Sequence, residues 1–69
     1  MTNRKFVVYT TNSHFEAEQV KGHLEINEVP AFILNKMDSA YLFGNIEILV
    51  NGDQVMRAKR LIEEFLENE

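Results

Sequence analysis

Apolar and polar positions follow a helical period in one stretch near the start of the chain. Ala17, Val20 and Leu24 are apolar and stand three or four residues apart, and this spacing predicts an amphipathic helix that buries one narrow stripe. Ser13 and Glu16 have the spacing of a capping box. We therefore expect the Ser13 hydroxyl to cap the helix and the Glu16 carboxylate to accept from the backbone N–H of Ser13.

The end of this first helix is predicted from residues that stop helices. Asn27 readily takes the left-handed conformation found at helix ends. Pro30 follows, and it lacks the N–H that a continuing helix needs and disfavours helical geometry at Val29. The helix is therefore expected to end at about Asn27.

A second apolar set lies on the opposite side of the same helix. Phe15, Gly22 and Ile26 fall away from the stripe that contains Ala17 and Leu24. In one interpretation, Phe15 and Ile26 fold under the two ends of the helix. In the other, they form a surface that faces a binding partner, and Gly22 allows that partner to approach the helix closely. We favour the first, because the ends of helices are where periodicity is least informative.

Three β-strands are predicted from short runs of β-branched and aromatic residues, at residues 6–10, 30–34 and 45–50. In the third run Ile46, Ile48 and Val50 alternate with Glu47 and Leu49. This period of two indicates a strand with one face in the core and the other face away from it.

A second amphipathic helix is predicted after the third strand. Asn51 and Gly52 form a strong turn signal, and Asp53 is a favourable N-cap. The apolar positions that follow make one continuous arc: Val55, Ala58, Leu61, Ile62, Phe65 and Leu66. Such an arc is typical of a helix that packs on a sheet.

The element order is therefore β-α-β-β-α in a single domain of residues 1–69. We predict an α+β fold, a ferredoxin-like sandwich lacking the fourth strand, with two helices on one face of a three-stranded sheet and the third strand between the other two. The chain stops at Glu69 without room for a fourth strand. The first strand would then be an uncovered edge, which proteins normally pair or protect. We therefore expect a homodimer, formed through that edge or through the helix-free face.

The residues that line the helix-free face depend on the register of the second strand. Leu49 lies there, together with either Phe32 and Leu34 or Ala31 and Ile33. The alternation alone leaves both sets open.

Composition excludes several classes of function. The chain has no cysteine, which excludes disulfides, thiolate zinc sites and CxxC redox chemistry. Its net charge of −4 argues against a general nucleic-acid binder. There is no apolar run long enough for a membrane span and no signal-peptide pattern. The expected location is cytoplasmic, with no membrane or nucleic-acid partner.

Catalytic chemistry is not indicated by the residues. His14 and His23 lie nine positions apart on one helix, which is too far for joint metal ligation within it. The chain has neither the GxxxxGK nor the GxGxxG phosphate-binding pattern, and it shows no nucleophile paired with a base at usable spacing. We therefore expect no enzyme activity, no catalytic or metal-binding residue and no cofactor.

Several segments resemble one known family across nearly the whole chain. The matching residues are Val8-Tyr9-Thr10, Glu16-Ala17-Glu18, Val20-Lys21, Leu24-Glu25, Val29-Pro30-Ala31-Phe32, Ala58 and Leu61 to Phe65. The chain resembles the putative prokaryotic signal-transducing proteins, a small domain of unknown function with a GlnB-like fold. The resemblance implies a bacterial regulatory role. One departure is Glu28, where the family usually has glycine, so the helix end is expected to rest on Asn27 instead.

Two candidate sites follow from this picture. In GlnB-like proteins the connection between the second and third strands binds partners. Here that connection carries large apolar residues that would be costly to leave exposed on a monomer: Met37, Tyr41, Leu42 and Phe43. They would contact an unidentified protein partner, or they fold back on the core or the dimer. The alternative function is a small-molecule sensor. Its ligand would lie at a dimer interface near Thr11, Asn12 and Ser13, against the N–H groups that start the first helix.

Overall fold

The computed structural model describes residues 4–36 and 46–67 of the chain. In chain order it has β1 (Lys5–Thr11), α1 (His14–Ile26), β2 (Phe32–Asn35), β3 (Ile46–Asn51), a short 3-10 turn (Gly52–Gln54) and α2 (Val55–Glu67). The predicted α+β fold and its β-α-β-β-α order are confirmed. Most element bounds differ from the predicted ones by one or two residues.

The sheet has the order β1-β3-β2, with β3 antiparallel to both neighbours. One row of residues across the strands is Val7, Leu49 and Phe32, and the next is Tyr9, Ile48 and Ile33. Side chains that are paired across neighbouring strands point to the same face. Each row therefore belongs to one face of the sheet.

Both helices pack on the same face of the sheet. Ile46, Ile48 and Val50 of β3 are fully buried, whereas Glu47 and Leu49 between them are only half-buried. The helices add their apolar stripes to this core: Ala17, Val20 and Leu24 from α1, and Ala58, Leu61 and Ile62 from α2. The alternation predicted for β3 is thus confirmed. The opposite face carries no helix of the described residues.

A β-bulge interrupts β1. The register against β3 shifts between Val7 and Tyr9, so Val8 is an extra residue. Val7 lies in the row of the helix-free face, while Tyr9 is opposite Ile48 and is partly buried against the core. The bulge therefore shifts the alternation of β1 by one residue, so that Tyr9 faces the helices although it stands two positions after Val7.

The start of α1 is capped by Ser13, whose Oγ accepts from the N–H of Glu16 at 3.1 Å. The prediction that the Ser13 N–H donates to the Glu16 carboxylate is wrong. The Glu16 carboxylate accepts instead from the Thr11 hydroxyl at 2.7 Å, and the Ser13 N–H donates to the Thr11 oxygen at 3.1 Å. Thr11 therefore bonds to both groups of the expected reciprocal bond, while the Ser13 cap itself is formed as predicted.

The end of α1 is a Schellman motif. The N–H of Val29 donates to the Leu24 carbonyl at 2.9 Å, and the N–H of Glu28 donates to the Glu25 carbonyl at 3.0 Å. The left-handed residue is Glu28, with φ of 66°, whereas Asn27 has φ of −95°. The prediction that Asn27 takes the left-handed position is therefore wrong. This motif needs positive φ one residue later than predicted, at Glu28.

Glu28→Gly is expected to stabilise the protein by about 0.5–1 kcal/mol. A side chain in the left-handed region costs about 1–2 kcal/mol, and part of that gain is lost because glycine gives the unfolded chain more freedom. Glu28→Gln should leave stability nearly unchanged, because it removes the charge and keeps the strain. Glu18→Gly, inside α1, should lower stability. Thermal unfolding of the three variants tests this, and equal gains for Gln and Gly would contradict it.

The start of α2 differs from the prediction. Asp53 lies inside the 3-10 turn Gly52–Gln54, and α2 begins at Val55, so Asp53 is not its N-cap. The N–H of Gly52 donates to the carbonyl of Arg4 at 3.1 Å. This hydrogen bond joins the turn to the residue just before β1. The chain therefore makes one 3-10 turn before α2 starts.

Candidate functional site

The helix-free face of the sheet exposes a row of large apolar side chains. Val7, Phe32 and Leu34 are 43%, 42% and 45% exposed, and Leu49 lies half-buried among them. Ile33 pairs with Ile48 on the helix side. The register therefore selects Phe32 and Leu34, one of the two sets left open by the sequence.

Charged residues stand at the two ends of this apolar row. At one end the ammonium of Lys5 lies 4.7 Å from the centre of the Phe32 ring. At the other end Glu47 is next to Leu34 across the strands, and its carboxylate is 3.2 Å from the Lys36 ammonium. The sequence analysis missed this arrangement, because only the register shows that Lys5 and Glu47 share a face.

The outer side of α1 is a second exposed apolar surface. Phe15 is 72% exposed and Ile26 is 81% exposed, and a Cβ added at Gly22 would meet nothing within 4 Å. The favoured interpretation, that Phe15 and Ile26 fold under the helix ends, is wrong. All three lie directly opposite the buried stripe of α1, so the helix itself holds them away from the core.

The two histidines have different surroundings. His14 is exposed, with Nε2 3.4 Å from the side-chain nitrogen of Asn35. His23 is partly buried: its ring packs 5.5 Å from that of Phe65, and its Nε2 is buried without a hydrogen-bond partner among the described residues. Among residues 4–36 and 46–67 there is no group of three or more potential metal ligands.

The proposed ligand residues at the first loop are partly brought together. Thr11 and Ser13 share one hydrogen-bonded network with the Glu16 carboxylate, and Asn12 lies exposed between them. The carboxylate belongs to the first turn of α1, close to the N–H groups that an anion would bind. Repulsion between like charges therefore makes a neutral or cationic ligand more suitable here than an anionic one.

The predicted partner residues of the second loop, Met37, Tyr41, Leu42 and Phe43, lie outside the described residues. A surface groove of about 460 Å³ in the described part is lined by Met56, Arg57, Lys59, Arg60 and Glu63. All five come from α2, so side chains from different elements do not converge there, as they usually do in a catalytic pocket.

The helices in the described part of the chain fall short of the length and apolarity that crossing a bilayer requires.

Comparison with known proteins identifies the family. Residues 6–66 match the model of a family described as putative prokaryotic signal transducing protein. The searches of curated proteins and of solved structures found no match. The matched range contains α1, β2, β3 and nearly all of β1 and α2. The resemblance predicted from sequence motifs is thus confirmed at the level of the family, while the closer likeness to GlnB-like proteins stays a prediction. The chain belongs to the family of putative prokaryotic signal transducing proteins.

Proposed function

We propose that this chain is a non-enzymatic signal-transducing module that acts through protein–protein contacts, as a homodimer joined by the helix-free faces of two sheets. The observation that carries the proposal is the apolar row of Val7, Leu49, Phe32 and Leu34. An antiparallel sheet that faces water usually carries polar residues on that side. A row of large apolar groups across all three strands instead suits a face that is covered.

A second copy of the chain has a matching face that can cover this apolar row. Two sheets pack face to face at about 10 Å, with side chains from the two inner faces interdigitating. The row on one copy would bury the same row on the other, since an isologous contact uses one patch twice. The buried core of the described residues is small, so association also offsets its limited burial.

Sedimentation equilibrium across a concentration series tests this proposal. We expect reversible dimers of the unaltered chain, and Leu34→Ser should weaken dimerisation at least about tenfold because it removes apolar contact area. Phe15→Ser, on the exposed outer side of α1, is the matched control and should leave the dimer unchanged. A monomer at every concentration, or a loss of dimer in the Phe15 variant alone, would contradict the proposal.

The protein partner that receives the signal would bind the loop that carries Met37, Tyr41, Leu42 and Phe43. The support for this surface comes from the sequence, where four large apolar residues occur in one connection. A double variant, Tyr41→Ala with Phe43→Ala, should lose a partner that the unaltered chain captures while it keeps the same dimer constant. Capture that is undiminished would count against the loop.

A metabolite sensor is the second candidate function. The observation in its favour is the network that joins Thr11, Ser13 and Glu16 at the start of α1. A ligand at a hundred times its dissociation constant adds about 2.7 kcal/mol to stability. A thermal-shift screen of neutral and cationic metabolites should therefore give a clear shift, which Glu16→Gln and Ser13→Ala would reduce. The same rise in both variants would place the ligand elsewhere.

A further inference from the structure

We infer that the two copies pack with their two-fold axis across the strands, so that Lys5 of each copy lies beside the partner's Glu47. This inference rests on the proposed homodimer and specifies its geometry. It follows from how the charges of the helix-free face are placed around its apolar row.

The face has three rows of side chains, two residues apart along the strands. The middle row is Val7, Leu49 and Phe32; the row on one side holds Lys5 and Asn51, and the row on the other side holds Thr10, Glu47 and Leu34. Neighbouring rows are about 7 Å apart, because a strand advances about 3.4 Å per residue. The face therefore has a lysine end and a glutamate end on either side of its apolar centre.

Two aligned two-fold arrangements keep the apolar centres in contact. If the axis runs along the strands, each row lies over the same row of the partner, and each Glu47 faces the partner's Glu47. If the axis runs across the strands, each outer row lies over the opposite outer row of the partner. The glutamate row of one copy then lies over the lysine row of the other, twice in each dimer. The apolar row matches itself in both arrangements, so the charges decide between them.

The surroundings of Lys5 also favour the axis that runs across the strands. Its ammonium lies 4.7 Å from the Phe32 ring, so closing the face over Phe32 removes water from the charge. A charge that loses water without a partner is costly. With the axis across the strands the partner's Glu47 approaches it. With the axis along the strands no carboxylate of the described residues on this face approaches it, and the two Glu47 groups meet instead, each screened by its own ion pair with Lys36 at 3.2 Å.

Charge reversal tests this geometry, and Lys5→Glu is the variant specific to it, because with the axis along the strands Lys5 meets no carboxylate of the described residues on this face. Lys5→Glu alone places two carboxylates at each contact, and Glu47→Lys alone places two ammonium groups there, so each homodimer should weaken at least about tenfold at low salt. An equimolar mixture of the two variants should form a heterodimer with an affinity close to that of the unaltered chain, because both contacts regain opposite charges. The chain with both reversals should form a homodimer again.

The measurement is native mass spectrometry with one variant isotope-labelled, supported by sedimentation equilibrium at low and high salt. Arg60→Glu and Glu64→Lys, on the exposed side of α2, are matched reversals that should show no preference for the mixed dimer. Thermal unfolding of each variant at low concentration verifies that it is folded. If the unaltered chain dimerises but Lys5→Glu alone does not weaken the dimer, or the mixture shows no preference, the inference fails and the proposed homodimer stands. If the unaltered chain does not dimerise at all, the proposed homodimer fails with it.

Discussion

Ile48→Ala is expected to lower the free energy of unfolding by about 3 kcal/mol. Ile48 is fully buried in the central strand and lies between Tyr9 and Ile33 of the two outer strands. Removing buried isoleucine atoms loses their transfer free energy and leaves a cavity, at about 2–5 kcal/mol in total. A chain of this length typically has only about 3–10 kcal/mol of stability. The variant should therefore be close to unfolded at moderate temperature.

The matched control is Leu49→Ala, one position along the same strand. Leu49 points to the helix-free face and is only half-buried, so its loss should cost about 1 kcal/mol or less. Urea unfolding at a concentration below dimer formation measures both variants. Equal losses for the two positions would mean that the sheet is covered on both sides within one chain.

Leu24→Ala should produce the second large loss, about 3 kcal/mol. Leu24 is fully buried in α1, within the cluster shared by both helices and the sheet. Its backbone carbonyl also accepts from Val29 in the helix-ending motif, and the substitution leaves that bond in place. The expected loss therefore measures side-chain packing.

Ile26→Ala in the same helix is the matched control. Because Ile26 is largely exposed and alanine favours helix more than isoleucine does, this change should stabilise the chain by about 0.3 kcal/mol. Chemical unfolding of the two variants is the measurement. A loss above about 1 kcal/mol at Ile26 would show that its side chain is covered and would restore the original interpretation of the helix end.

The sequence predicted the parts of the fold that depend on a regular period. The alternation of β3 and the stripe of α1 each repeat through three buried residues, and both are in the core as expected. The central place of β3 followed from the rule for a parallel crossover. These signals are local, so they can be recognised in a single chain.

The register across strands could not be predicted in the same way. Phe32, Ile33 and Leu34 are all large and apolar, so their pattern does not say which of them faces the helices. The bulge at Val8 shifts the alternation of β1 by one residue, and nothing in a run of valines marks the shift. The candidate face and its pair of charges, Lys5 and Glu47, depend on this register and emerged only from the structure.

Some hydrogen-bond partners at the helix ends also could not be predicted from the sequence. The Ser13 cap is confirmed by the bond from the Glu16 N–H, but Thr11 bonds to both groups of the expected reciprocal bond, the Glu16 carboxylate and the Ser13 N–H. Glu28 takes the left-handed position because Val29 must follow it into the core, where it is fully buried. In each case a neighbouring contact outweighed a correct local preference.

The bulge at Val8 lets residues at even spacing in one strand serve different purposes. Lys5 and Val7 belong to the face that a second copy would cover, whereas Tyr9 contacts the core and Thr11 holds the start of α1. Changes at Lys5 and Val7 should therefore alter assembly and spare folding, and changes at Tyr9 and Thr11 should do the reverse. One extra residue thus separates the positions of this strand that assembly and folding would each constrain.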